Sequence, residues 1–246
     1  MLTKQNKLLL ILSFVFICNA LLAEFIGVKI FSLEATLGMK PIKWALPNFN
    51  LTAGVLLWPV VFIMTDIINE YFGKKGVRFL SFSAVGVIGF AFLAVNFAIY
   101  LSPAEFWTGA YQNFGVVNMQ NAYSAVFGQG LWIIAGSIIA FLIGQLLDVF
   151  VFQEIKKRTG EKKLWLRATG STLVSQFIDS FVVLFIAFYL SNRMDLSTVI
   201  QIGIVNYIFK FIVAIALTPL LYLIHGVIDS YLGDSLASEL KNAAKA

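Results

Sequence analysis

The same polar phrase occurs twice in the second half of the chain. Gln145-Leu-Leu-Asp148-Val-Phe150 and Gln176-Phe-Ile-Asp179-Ser-Phe181 both read Q-φ-φ-D-x-F, where φ is apolar. Residues three apart share a helix face, so each glutamine and its aspartate can address one object lying between helices. An amide beside a carboxylate offers both donors and acceptors, which suits the holding of a polar solute. A second reading is open, in which each glutamine caps its own aspartate or bridges two helices. Further polar groups lie inside or beside apolar runs: Asp66, Asn69 and Glu70 in one, Asn206 and Lys210 in another, Asn19 and Glu24 in a third. An ionised group in such a run is costly unless it is paired or faces a cavity. The residues taken forward as candidates for solute binding are Asp66, Asn69, Gln145, Asp148, Gln176, Asp179, Asn206 and Lys210. Lys210 needs a carboxylate or a cavity, and of the carboxylates Asp179 is preferred and Glu24 is the alternative. Asp66 and Glu70, four apart on one face, repel one another. For them a headgroup-level position, solvated or paired with Lys74, Lys75 and Arg78, is the competing reading.

Catalysis finds little support. The chain contains no HExxH, GxSxG or GxxxxGK[ST] phrase and no Cys/His cluster, so hydrolysis on zinc, serine acyl transfer and an ATP-driven motor lack their usual local parts. Gly170-Ser171-Thr172 has no histidine base placed to serve it, and His225 is expected near the inner end of the last helix in an interfacial role. No enzyme, metal site or cofactor is expected. Cys18 permits no internal disulfide.

The elements that must position these residues are membrane helices. Hydrophobic residues make up 59% of the 246 and charged ones 13%, with a mean hydropathy of +0.86, a balance that excludes an ordinary soluble domain. The apolar runs are continuous over about 20 residues rather than alternating, so helices are expected and not a barrel. We expect an all-α, polytopic, single-domain chain with six transmembrane helices, at about 7–31, 51–71, 76–101, 124–155, 167–191 and 197–227. Three helices followed by three could form two inverted repeats with a site between them. The first run is too long for a signal peptide and reads as an uncleaved helix. Pro59 and Pro219 are expected to kink the second and sixth helices. The pairs Ala23-x-x-x-Gly27 and Gly136-x-x-x-Ala140 allow close helix approach.

Charge gives the orientation. Lys4, Lys7, Lys74, Lys75, Arg78, Lys156, Lys157, Arg158, Lys162, Lys163, Arg167, Lys241 and Lys245 all fall on one side, whereas Lys29, Lys40, Lys43 and Arg193 fall on the other. Both termini are therefore expected in the cytosol. The other side carries Pro41, Trp44 and Pro47, then Pro103, Trp107 and Tyr111, which fit an interfacial belt.

Three runs carry a family resemblance: T-D-I-I-N-E-Y-F-G-K-K-G-V-R at 65–78, G-Q-L-L-D-V-F-V-F at 144–152 and K-K-L-W-L-R-A-T-G-S-T-L-V-S-Q-F-I-D-S at 162–180. The chain resembles the queuosine precursor transporter family, within the vitamin uptake transporter group. That resemblance implies a bacterial inner-membrane carrier of 7-cyano-7-deazaguanine and 7-aminomethyl-7-deazaguanine, used to make the tRNA base queuosine. It implies a 7-deazaguanine and the lipid bilayer as partners, no direct contact with nucleic acid, and a homodimer as one assembly to consider. The family more often has an asparagine pair after W-x-R, where this chain has Ala168, Thr169 and Gly170. A 7-deazaguanine presents two adjacent N–H donors that one carboxylate can accept, with a carbonyl beside them for an amide or a lysine. Asp179 is expected to take the donors, and Phe62, Phe177, Phe181 or Trp132 to stack on the ring. The competing reading is a substrate-binding membrane subunit that works only with a separate energising ATPase.

Overall fold

The first helix, α1 (Lys4–Ile26), is capped by Thr3, whose hydroxyl accepts from the Asn6 amide at 3.2 Å. It buries one seam, Leu8, Leu12, Phe16, Ala20 and Ala23, at helical spacing. Its other face is equally apolar, and Leu10, Ile11 and Phe14 are 56%, 61% and 71% exposed. A helix apolar all round is at home in lipid, not in water. This computed structural model describes residues 2–39, 49–128, 131–159, 163–190, 192 and 194–244, the side chains of 131–134 excepted. The readings of Lys40, Pro41, Lys43, Trp44, Pro47, Lys162, Arg193 and Lys245 lie outside those residues.

α1 stops at Ile26, earlier than the expected Phe31, and a short strand follows. Ile30–Ser32 pairs antiparallel with Asn50–Thr52, Phe31 lying opposite Leu51. The second strand leads through a single 3₁₀ turn, Ala53–Leu56, into α2 (Trp58–Tyr100). Pro59 falls in the first turn of α2, where its missing N–H costs no hydrogen bond, so it marks a start rather than the expected kink. Small residues hold α1 against this entry. A Cβ added at Gly54 would come within 2.5 Å of the Ala23 carbonyl oxygen and 3.3 Å of the Gly27 Cα.

α2 takes the place of the expected second and third helices, which the basic turn was to separate. The separation has shrunk to one residue, Gly73, with φ 67° and ψ −172°. Lys74 and Lys75 already belong to the helix beyond. That backbone region is open essentially to glycine alone, and a Cβ there would also approach the Ala244 carbonyl oxygen to 2.9 Å. Gly73→Ala is accordingly expected to cost about 1–3 kcal/mol of stability, read as thermal unfolding in detergent. An unchanged melting curve would show that the break at Gly73 is not held by the rest of the fold.

The remaining helices are α3 (Met119–Phe127), α4 (Leu131–Thr159), α5 (Leu164–Leu184), α6 (Leu196–Ala216), α7 (Thr218–Leu232) and α8 (Asp234–Ala243). A π turn, Phe185–Tyr189, extends α5. The expected sixth helix is divided between α6 and α7 at Leu217, with Pro219 in the first turn of α7, as a proline kink requires. α4 and α5 pack along their length, α1 lies on α2, α2 on α4, and α5 on α6. α8 folds back onto α2, burying Ala237 and Leu240.

Five helices among the described residues are long and apolar enough to cross a membrane, α2 among them with its break. Phe79, Phe90, Leu93 and Phe97 of α2 are each about 70% exposed, a stripe that water would penalise and acyl chains accept. The chain is an all-α polytopic membrane protein.

Candidate functional site

Polar side chains from α2, α4 and α5 meet in the interior. Thr65 donates to Gln145 Oε1 at 3.0 Å, and Gln153 donates to Asn69 Oδ1 at 2.6 Å. Asp148 accepts through Oδ1 from Ser175 at 3.3 Å and Thr172 at 3.5 Å. These groups are almost completely buried. Asn69, Gln145 and Asp148 thus each make a contact between helices, Gln145 to α2 and Asp148 to α5, and each keeps one buried atom, Asn69 Nδ2, Gln145 Nε2 and Asp148 Oδ2, without a hydrogen-bond partner among the described residues.

Nearer the end of the bundle that holds the termini, Glu70 is clasped by two cations. Arg167 forks onto it, Nη2 to Oε1 at 2.7 Å and Nε to Oε2 at 3.1 Å, while Lys156 Nζ lies 3.2 Å from Oε2 and 3.1 Å from the Glu70 carbonyl oxygen. All three side chains are at most 2% exposed. The headgroup-level reading of Asp66 and Glu70 is therefore corrected: both are buried, and the partners of Glu70 come from α4 and α5 rather than from Lys74, Lys75 and Arg78. Beside this cluster Tyr71 donates to Asp229 at 2.7 Å and stacks on His225. His225, expected at an interface, is 6% exposed.

Two adjoining cavities lie in the bundle, the larger at the end of the two strands and the smaller running from Val55 and Trp58 toward Ala168 and Leu221. The larger, ≈ 480 Å³, falls in the range of small-molecule sites and is bordered by Glu24, Ser137, Asp179, Ser180, Asn206 and Lys210. Lys210 Nζ lies 2.5 Å from Asp179 Oδ2, which makes Asp179 its partner, as preferred from sequence. Glu24, the alternative, accepts instead from the Ser137 hydroxyl. The smaller cavity, ≈ 40 Å³, has room for a few waters and is lined by Phe62, Asp66, Thr172, Gln176 and Phe209 among others. Val55, Trp58 and Lys210 border both and form the partition between them.

The small cavity ends on an unsatisfied polar edge. Asp66 Oδ1, Gln176 Oε1 and Gln176 Nε2 are buried and have no hydrogen-bond partner among the described residues. Such atoms are uncommon in folded proteins, because a lost hydrogen bond in the interior costs about 1–3 kcal/mol. Of the eight sequence candidates the structure thus brings Asp66, Gln176 and Lys210 to the small cavity and Asp179, Asn206 and Lys210 to the large one. Phe62 faces the small cavity and is stacked on Trp58, ring centroids 6.1 Å apart. Phe177 and Phe181 pack on one another away from both cavities, and Trp132 lies outside the described side chains. Sequence reasoning missed Trp58, Ser180 and the role of Glu24 in the large cavity, and the clasp of Glu70 by Lys156 and Arg167. An aromatic beside a proline at a helix start was the available signal for Trp58; the ion pairs had none.

The model of the family described as "Putative vitamin uptake transporter" matches residues 52–224. The "Probable queuosine precursor transporter" of Bacillus subtilis is 31% identical over 180 residues, covering 71% of this chain and 72% of the relative. The "Queuosine precursor transporter" of Escherichia coli is 28% identical over 169 residues, covering 68% and 69%, and a Haemophilus influenzae relative named as in B. subtilis is 31% identical over 171, covering 69% and 66%. No solved structure matches. With a family model spanning most of its length, and relatives of that name along two thirds of it, the chain belongs to the vitamin uptake transporter family, among the queuosine precursor transporters.

Proposed function

We propose that this chain imports queuosine precursors, 7-cyano-7-deazaguanine and also 7-aminomethyl-7-deazaguanine, across the bacterial inner membrane. The observation that carries the reading is the unpartnered edge of Asp66 and Gln176 at the foot of a vestibule large enough for a base. Asp66 accepts the two adjacent N–H donors of the deazaguanine, and the Gln176 amide serves its carbonyl. Trp58 and Phe62 offer aromatic faces to the flat ring. Asp179, engaged by Lys210, guards the approach with Asn206 rather than taking the donors itself. The small cavity is too tight for a base as it stands, so entry requires Trp58 and Lys210 to part. That movement is the first half of a carrier cycle.

The two arms of α2, taken separately, bring the crossings to six, in keeping with an inverted pair of three-helix halves. The bias of Lys and Arg puts both termini in the cytosol and the vestibule on the outside. A reporter active only outside the cytosol, fused after Ala246, is expected to be silent; activity there would reverse the orientation. The relatives are themselves named transporters, which favours a self-sufficient carrier over a subunit awaiting an ATPase. Liposomes containing the purified chain alone should take up labelled 7-cyano-7-deazaguanine, recovered chemically unchanged by mass spectrometry. Binding without uptake would favour the subunit, and an altered solute an enzyme.

A further inference from the structure

Five ionisable side chains lie buried together around the α2, α4 and α5 contact: Asp66, Glu70, Asp148, Lys156 and Arg167, none more than 4% exposed. Glu70 engages both cations, at 3.2 Å and 2.7 Å. Asp66 and Asp148 have no ion pair among the described residues, yet lie within electrostatic reach of one another. Asp148 uses Oδ1 for two hydroxyls and leaves Oδ2 unpartnered, and Asp66 leaves Oδ1 unpartnered. With both aspartates ionised the five groups carry three negative charges against two positive. One uncompensated charge would then remain in the interior, at a cost that folded proteins avoid by binding a cation or a proton.

Among the described residues, neighbouring helices do not supply the missing charge. On α6 Lys210 is held by Asp179 of α5, on α8 Lys241 is held by Asp229, and on α1 Glu24 accepts from Ser137. α7 contributes His225, which lies beside the Tyr71 hydroxyl at 3.1 Å. A metal cation would need several oxygens. The helical backbone is unbroken over residues 140–153 and 168–180, and where α2 breaks at Gly73 the carbonyls of Asn69 and Glu70 already accept from Gln153 and Lys156, so these carbonyls are engaged within the protein rather than unwound to bind an ion. A proton needs only one carboxylate oxygen.

We propose that Asp66 and Asp148 together hold one exchangeable proton, and that this proton crosses the membrane with the solute. The inference rests on the import reading above. A solute whose N–H donors meet Asp66 favours its ionised form and places the proton on Asp148. The loaded interior is then neutral and free to rearrange, whereas a doubly ionised pair carries an uncompensated charge through the cycle. The proton binds from the outer water on loading and returns to the inner water on release, so no other chemical bond changes.

Two measurements test this on the purified full chain. Infrared spectra at neutral pH should show the C=O stretch of a protonated carboxylic acid that Asp148→Asn abolishes. In liposomes, labelled 7-cyano-7-deazaguanine should accumulate on the side made less acidic, about tenfold per imposed pH unit for one proton per solute. Asp148→Asn mimics the protonated form, so its affinity should no longer vary with pH and its accumulation ratio should fall to one. Absence of the acid band, wild-type uptake indifferent to the pH gradient, or uptake that follows sodium instead would overturn the proposal. No wild-type uptake under any gradient would count against the import reading, while the infrared band still decides where the proton is. If Asp148→Asn does not fold, the wild-type arms stand alone, and Asp148→Glu should keep both the band and the pH dependence.

Discussion

Glu70→Ala is expected to cost about 3–5 kcal/mol of stability, because it takes away the carboxylate that holds two buried cations. Lys156 and Arg167 reach Glu70 from two other helices, at 3.2 Å and 2.7 Å, so their charges stay inside the bundle when it is gone. Burial is what makes the expected loss large: an exposed pair such as Arg158 with Glu154, 3.0 Å apart but open to solvent, contributes about 0–1 kcal/mol. Combining Glu70→Gln with Lys156→Met should cost less than the sum of the two single changes, since the second removes a charge the first has left uncompensated. Thermal unfolding in detergent measures both effects. A loss below about 1 kcal/mol for Glu70→Ala would mean that water reaches the cluster and that these helices are held by packing alone.

Asp66→Asn should weaken binding of 7-cyano-7-deazaguanine roughly tenfold or more. The replacement exchanges one acceptor for a donor that faces the donors of the base, and a mispaired buried group costs about 1–3 kcal/mol or more when charge is involved. Gln176→Leu should do less, because it removes a contact without opposing two donors. Asp179→Asn acts differently, since it also releases Lys210 from a 2.5 Å pair, and its effect should appear in uptake rate as well as in affinity. Equilibrium binding to the folded proteins, with melting temperature measured alongside, separates these outcomes. A well-folded Asp66→Asn protein of unchanged affinity would move recognition to the large cavity and Asp179.

What the sequence made legible was whatever depends on neighbours along the chain. Continuous apolar runs placed the spans, and Pro219 marked a real break, because hydropathy and a missing amide act locally. The Asp179–Lys210 pair was also within reach, as two charges at mid-helix have few other ways to be satisfied. The clasp on Glu70 was not. Its partners are 86 and 97 positions away, and the rule that orients membrane helices counts Lys156 and Arg167 as basic residues of the cytosolic side. Composition cannot tell a lysine that meets solvent from one turned inward. The separation at Gly73 failed for a related reason: Lys74 and Lys75 look like a solvated turn, but glycine's freedom allows a break of one residue with helix resuming at once. Nor could periodicity distinguish Asp148, which serves a helix contact, from Asp66, which faces a cavity, since both lie on equally plausible faces.

The unequal size of the two cavities bears on how such a protein could be blocked. On the import reading proposed above, the solute first enters the 480 Å³ chamber and reaches Asp66 and Gln176 only by passing Trp58 and Lys210. A deazaguanine bearing a rigid, bulky group at its 7-position would lodge in the first chamber and prop the partition open. It would compete with the natural solute for occupancy without ever reaching the cytosol. Inhibitors of this kind would not depend on surviving intracellular metabolism, and bacteria that rely on salvage for the modified base would be deprived of it from outside.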